Sequence, residues 1–101
     1  MGIRVTIQDS PHGRGVLQRL KGEGLTPHVW SNQPFHRYGW HEHAYPKVLY
    51  CVRGSIVFHS RDGEFRLKPG DRLDIDAGTE HAATVGPDGV ECAEAARSPV
   101  R

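Results

Sequence analysis

Two histidines one residue apart, His41 and His43, are the first feature of this chain with chemical consequence. Side chains at i and i+2 of a strand point to the same face, so the pair aims two imidazoles at one point. Histidine pairs of this kind are candidate metal ligands. A third histidine, His81, follows a second glycine-punctuated, β-prone run. The chain carries 7 histidines in 101 residues, and that excess is itself a hint of chemistry. Other chemistries find no support. There is no Gly-x-Ser-x-Gly elbow and no glycine loop that would cradle phosphate. Cys51 beside a histidine lacks the orienting third residue of a thiol dyad.

The elements that must position these side chains read as strands. Ile3 to Gln8 alternates apolar residues and stops at Asp9-Ser10-Pro11. Gly13 to Leu20 reads as an irregular arm, because Gly13, Gly15 and Gly22 argue against a long helix. Leu25 to Ser31 resumes strand character. Further strands are predicted at 36–43, 47–53, 55–60, 64–68, 72–76, 82–85 and 90–95. Turns are expected at Arg53-Gly54, Asp62-Gly63, Pro69-Gly70-Asp71, Ala77-Gly78 and Gly86 to Gly89. The tail from Arg97 to Arg101 reads as frayed. Many short strands with evenly spaced turns imply an all-β antiparallel sandwich or barrel. At 101 residues the chain reads as one domain, 1–101, with its barrel core at about 25–96.

Charge and composition exclude several classes. Thirteen basic against 12 acidic side chains leave a net +1, with no electrostatic footprint for nucleic acid. No apolar run approaches a bilayer span, and the N-terminus lacks the order of a signal peptide. Cys51 and Cys92 then read as buried, reduced thiols of a cytoplasmic protein.

Taken together, the motifs resemble the cupin family of small jelly-roll β-barrels. The first family motif is matched by His41-Glu42-His43 and Gly54, with Lys47 at the place of the family's glutamate. The second is matched by Gly70, Asp76-Ala77-Gly78 and His81, with Asp76 replacing a proline. Val85 stands where the family often has asparagine. The resemblance covers about residues 35–95 and implies a jelly-roll barrel whose ligands are His41, His43 and His81. Three neutral imidazoles with open positions suit Fe, Mn, Ni, Cu or Zn. Lys47 cannot ligate a cation while protonated. Either it swings aside from a three-histidine site, or burial and the metal lower its pKa, or no metal binds. It also has the option of snorkelling to the barrel mouth.

Strand parity sends Lys47, Leu49 and Cys51 inward and Val48, Tyr50 and Val52 outward. It also places Tyr38 and Trp40 outside as an exposed aromatic pair, the mark of a subunit interface or of a face beneath the N-terminal arm. Glu42 and Glu80 point away from the cavity, and His59 reads as exposed. His12, His28 and His36 lack partners at ligand spacing. Three functions fit. The first is a metal-dependent enzyme, dioxygenase-like or isomerase-like, with Lys47 binding an anionic small molecule. The second is a non-catalytic metal or small-ligand module. The third is a metal-free anion pocket. A homodimer is the expected assembly.

Overall fold

The β-prone run from Lys47 to Ser60 forms one uninterrupted strand in the structure, a computed structural model that describes residues 2–6 and 15–97. The elements are β1 (Ile3–Thr6), α1 (Val16–Gly22), β2 (His28–Asn32), β3 (Arg37–His41), β4 (Lys47–Ser60), β5 (Gly63–Leu67), β6 (Arg72–Ile75) and β7 (His81–Ala96). Their order across the sheet is β1-β6-β4-β7-β2, with β3 pairing β7 and β5 pairing β4. Every pairing is antiparallel, in keeping with the expected jelly roll. Ile7, Gln8, the Asp9-Ser10-Pro11 stop, His12, Gly13, Arg14 and residues 98–101 lie outside the described residues.

Two expected turns are bulges instead. Strands 47–53 and 55–60 are continuous as β4, and 82–85 and 90–95 are continuous as β7. The β4–β7 register shifts between Cys51 and Arg53 and again between Gly54 and Ile56. An unpaired residue reverses which face the following side chains take. Leu49 and Cys51 therefore share one core with Ile56 and Phe58, although their numbers differ in parity. Gly54 and Gly89 meet here, both at positive φ. A Cβ on Gly54 would lie 2.0 Å from the carbonyl oxygen of Gly89, so glycine permits the ladder to continue rather than ending it.

The segment read as an irregular arm contains a helix, α1. Gly15 precedes it at φ 74 and Gly24 follows it at φ 80, so these glycines bound the helix and do not interrupt it. Val16 and Leu20, four residues apart, pack on Val48, Tyr50 and Ala93, a second core on the opposite face of β4. Full burial of such a side chain contributes roughly 1.5–3 kcal/mol. A charged clasp completes the docking. Arg72 donates to both carboxylate oxygens of Glu23, at 2.6 and 3.1 Å, and to Asp74 at 2.9 Å. Arg97 joins the clasp at Glu23 (3.1 Å), and its backbone N–H bonds to Pro46, so it is tied down and not frayed.

Candidate metal centre

The three histidines come from two segments of the chain and converge. His41 ends β3, His43 lies two residues beyond it, and His81 opens β7 directly opposite His41. Their candidate ligand atoms all lie within 4.8 Å of one another. Ring centroids are 4.3 Å apart for His41 and His81, 4.9 Å for His41 and His43, and 5.4 Å for His43 and His81. His41 is exposed, His43 half-buried and His81 buried.

Backbone carbonyls orient two of the rings. His41 Nδ1 sits 2.7 Å from the oxygen of Gly39, and His81 Nδ1 sits 2.8 Å from that of Thr79. A ring nitrogen facing a carbonyl carries a proton, so in the neutral form of each ring Nε2 is the atom with the lone pair. Burial, then the charge of Lys47 and the neighbouring histidines, lowers the pKa of His43. Burial is also the main influence lowering that of His81. Both rings are thereby held in the neutral form that ligates metals. The donor set fits a divalent transition ion.

Lys47 is ion-paired, and its side chain is largely buried. Its Nζ lies 2.7 Å from Glu94 Oε2, with only 17% and 11% of the two side chains exposed. This pair is compatible with the reading in which Lys47 turns aside, and a largely buried ammonium departs from the snorkelling one. The partner, Glu94 of β7, was not singled out by the sequence reading. Its second oxygen, Oε1, accepts the Trp30 indole N–H at 2.8 Å, and His28 Nε2 stands 3.7 Å from Oε2. A signal existed: Val90, Cys92 and Glu94 alternate, so a strand that buries the first two also points the glutamate inward.

Together these groups line one cavity of about 370 Å³, whose walls include the three histidines, Lys47, Glu94, Trp30 and Tyr38. That volume is at the lower end of the range for small-molecule sites. Tyr38 is a correction. It faces the cavity and meets Trp30 edge-on, because the β3–β7 register shifts between Tyr38 and His41. The outer aromatic pair therefore does not form. Trp40 alone is exposed, with the Arg61 guanidinium 4.4 Å above its ring and Arg61 in turn on Glu80.

The remaining residues fall as follows. Glu42 and Glu80 are exposed, as expected. His59 is only part-exposed, between Glu64 and Thr84. His28 lines the cavity wall beside Glu94, and His36 meets Tyr38 edge-on. Asp76 accepts from Arg4, and Val85 is buried in the core.

Residues 28–91 match the family model described as a cupin domain. A chain from the crystal structures of the DMSP lyases RdDddP and RnDddQII is 31% identical, with a TM-score of 0.68. That match covers 73% of this chain but 38% of the other, so the present chain spans well under half of that relative. A cupin-2 domain protein from Shewanella frigidimarina is 21% identical (TM-score 0.62), covering 75% of this chain and 71% of that one. KdgF from Halomonas sp. is 20% identical (TM-score 0.63), covering 97% and 82%. The latter two likenesses show the fold alone. No curated protein matches.

Proposed function

The chain belongs to the cupin family, and on that premise we propose that it binds one divalent transition metal through His41, His43 and His81 and receives an anionic small molecule at Lys47. One observation carries the reading: three imidazoles converge within 4.8 Å, two of them with Nε2 left free by a backbone hydrogen bond to Nδ1. When bound, the ion would supply Lewis acidity, undiminished by any carboxylate ligand in the three-histidine set.

The chain's own residues would do the rest. Glu94 neutralises Lys47 and fixes its position, leaving two of the three ammonium donors for a ligand oxygen. The cavity then carries the positive charge of the ion alone, which favours an anion. Trp30, Tyr38 and Phe58 supply apolar walls that exclude water from one side. The family hosts many chemistries, so fold alone does not choose among them. Oxygen-dependent and isomerase-type reactions fit this arrangement, as does a binding module without turnover. The likeness to the DMSP lyase chain adds lyase chemistry on a small molecule to these readings.

The same reading takes residues 1–101 as one domain, cytoplasmic and homodimeric. No described helix is long and apolar enough to cross a membrane. Elemental analysis of protein purified without chelator is the direct test, run beside His81→Ala. About one equivalent of iron, manganese, nickel, copper or zinc in the parent, lost in the folded variant, is the expected result. Full metal content in His81→Ala overturns the site. Absence of metal even after reconstitution would leave the anion pocket at Lys47.

A further inference from the structure

Cys51 and Cys92 face each other across β4 and β7, are fully buried and are both free thiols. Their relation is closer than adjacency in a sheet. The Cys51 N–H donates to the Asp71 carbonyl at 3.0 Å, and the Cys51 carbonyl accepts from Gly70 N–H at 2.8 Å. Both backbone groups of one residue in an antiparallel strand point the same way, so Cys51 turns them toward β6 and away from β7. Cys51 and Cys92 therefore form a non-hydrogen-bonded pair, the type in which Cα atoms approach to about 4.5 Å and side chains lie closest. That separation falls inside the range of about 4.4–6.8 Å that disulfides span. Both side chains also belong to the same core cluster, so they occupy one face of the sheet.

We propose that Cys51 and Cys92 are a built-in cross-strand disulfide site, which closes to staple β4 to β7 one inward position below the Leu49 and Glu94 pair. This inference stands apart from the metal reading. In the step, two S–H bonds break and one Sγ–Sγ bond forms. The two protons and two electrons pass to a small-molecule disulfide such as oxidised glutathione, whose S–S bond breaks to give two thiols. The closed loop would span Val52 to Glu91, and so would include the Gly54 bulge and His81.

The staple is slow by construction. Burial pushes the Cys51 thiol up to about 12, and it raises that of Cys92 further. Thiolate is the attacking species, so exchange at neutral pH waits on local opening of the sheet. The site is then a store of stability under sustained oxidation, not a fast sensor.

The test is redox equilibration of the intact chain from both sides. Reduced protein, and protein refolded under oxidising conditions, are each held in a series of oxidised and reduced glutathione ratios. Samples are acid-quenched, alkylated after denaturation and weighed by mass spectrometry. The expected product from both starts is a monomer lighter by two hydrogens, with no glutathione adduct. Its circular dichroism matches that of the reduced chain, and its thermal midpoint is higher by at least about 5 °C. A reduced end state at ratios that oxidise the urea-unfolded chain overturns the proposal, as does a mixed disulfide or an intermolecular dimer as main product. If the two starts have not converged, the refolded oxidised chain decides. A midpoint above the reduced chain supports the site, and a midpoint at or below it overturns it.

Discussion

Replacing Glu94 with glutamine isolates what the buried ion pair contributes, because it removes one charge while keeping volume and an acceptor for the Trp30 N–H. The Lys47 ammonium sits 2.7 Å from the carboxylate oxygen. At that separation the gross attraction is about 6 kcal/mol for an effective dielectric of about 20. Desolvation of both ions cancels much of it. Removing one partner of a fully buried pair nonetheless costs roughly 3–5 kcal/mol, since the other charge is left unpaired. Water reaches this pair through the cavity mouth, so the expected loss is smaller, about 2–3 kcal/mol. Urea unfolding of Glu94→Gln in the metal-free state measures it directly. The double variant Lys47→Met, Glu94→Gln should recover most of the loss, with a coupling of about 1.5 kcal/mol or more. The freed ammonium should also repel a cation at the histidines, weakening metal binding by about tenfold, equivalent to roughly 1.4 kcal/mol. Glu94→Gln with parent stability, and a coupling near zero, would refute the claim that this pair holds Lys47 aside.

Lys47→Glu should tighten divalent metal binding by about tenfold or more. It should also destabilise the metal-free protein, since two carboxylates then face each other; unchanged affinity in a calorimetric titration would mean position 47 does not reach the metal. Stability of the metal-free protein should fall on acidification. His43 and His81 have folded pKa values lowered below the unfolded value of about 6.5, so the unfolded state binds more protons in that window. The loss therefore begins as pH drops through about 6.5 and continues down to the folded values, and metal affinity should follow it because protons compete for the same nitrogens. A pH-independent unfolding midpoint between pH 7 and 5 would contradict both. Gly54→Ala places a Cβ 2.0 Å from the Gly89 oxygen at φ 78. It should cost about 3 kcal/mol by combining backbone strain with a clash, and a neutral result in urea would mean the bulge relaxes freely.

The antiparallel fold and the shared face of His41 and His43 were legible from short-range rules, two-residue alternation and glycine-bounded spacing, and His81 joined the pair through the family resemblance. What escaped was set by long-range pairing. Arg53-Gly54 and Gly86 to Gly89 carry turn chemistry, and nothing local says that Gly54 and Gly89 lie against each other as a shared bulge. Tyr38 was assigned outward by counting in twos from His41, and a register shift between the two reversed it. The α1 helix is short and weak by propensity, and it exists on tertiary terms: Leu20 in a pocket made by β4 and β7, and Glu23 held by Arg72 and Arg97. Such contacts join residues about fifty to seventy positions apart.

Glu94 shows how a departure from a family pattern is compensated in space and not in sequence. A lysine at position 47 would place an unpaired ammonium in a cavity walled by apolar groups, an arrangement that costs several kcal/mol. Leu49 pairs with Glu94 in the β4–β7 register, and Lys47 lies two residues before it on the same face. A carboxylate on β7 is therefore the nearest inward position from which that charge can be met. The cavity holds one carboxylate and one lysine, and the carboxylate faces the lysine; among the described residues the three-histidine cluster itself contains no carboxylate. A metal held there would keep its full charge, and the lysine beside it would be fixed with donors to spare. Those two properties suit the ligand proposed above, a small anion. An inert scaffold has no use for a buried ion pair placed at the edge of a three-histidine cluster, and this is why the pair, more than the histidines alone, argues for a ligand-binding site.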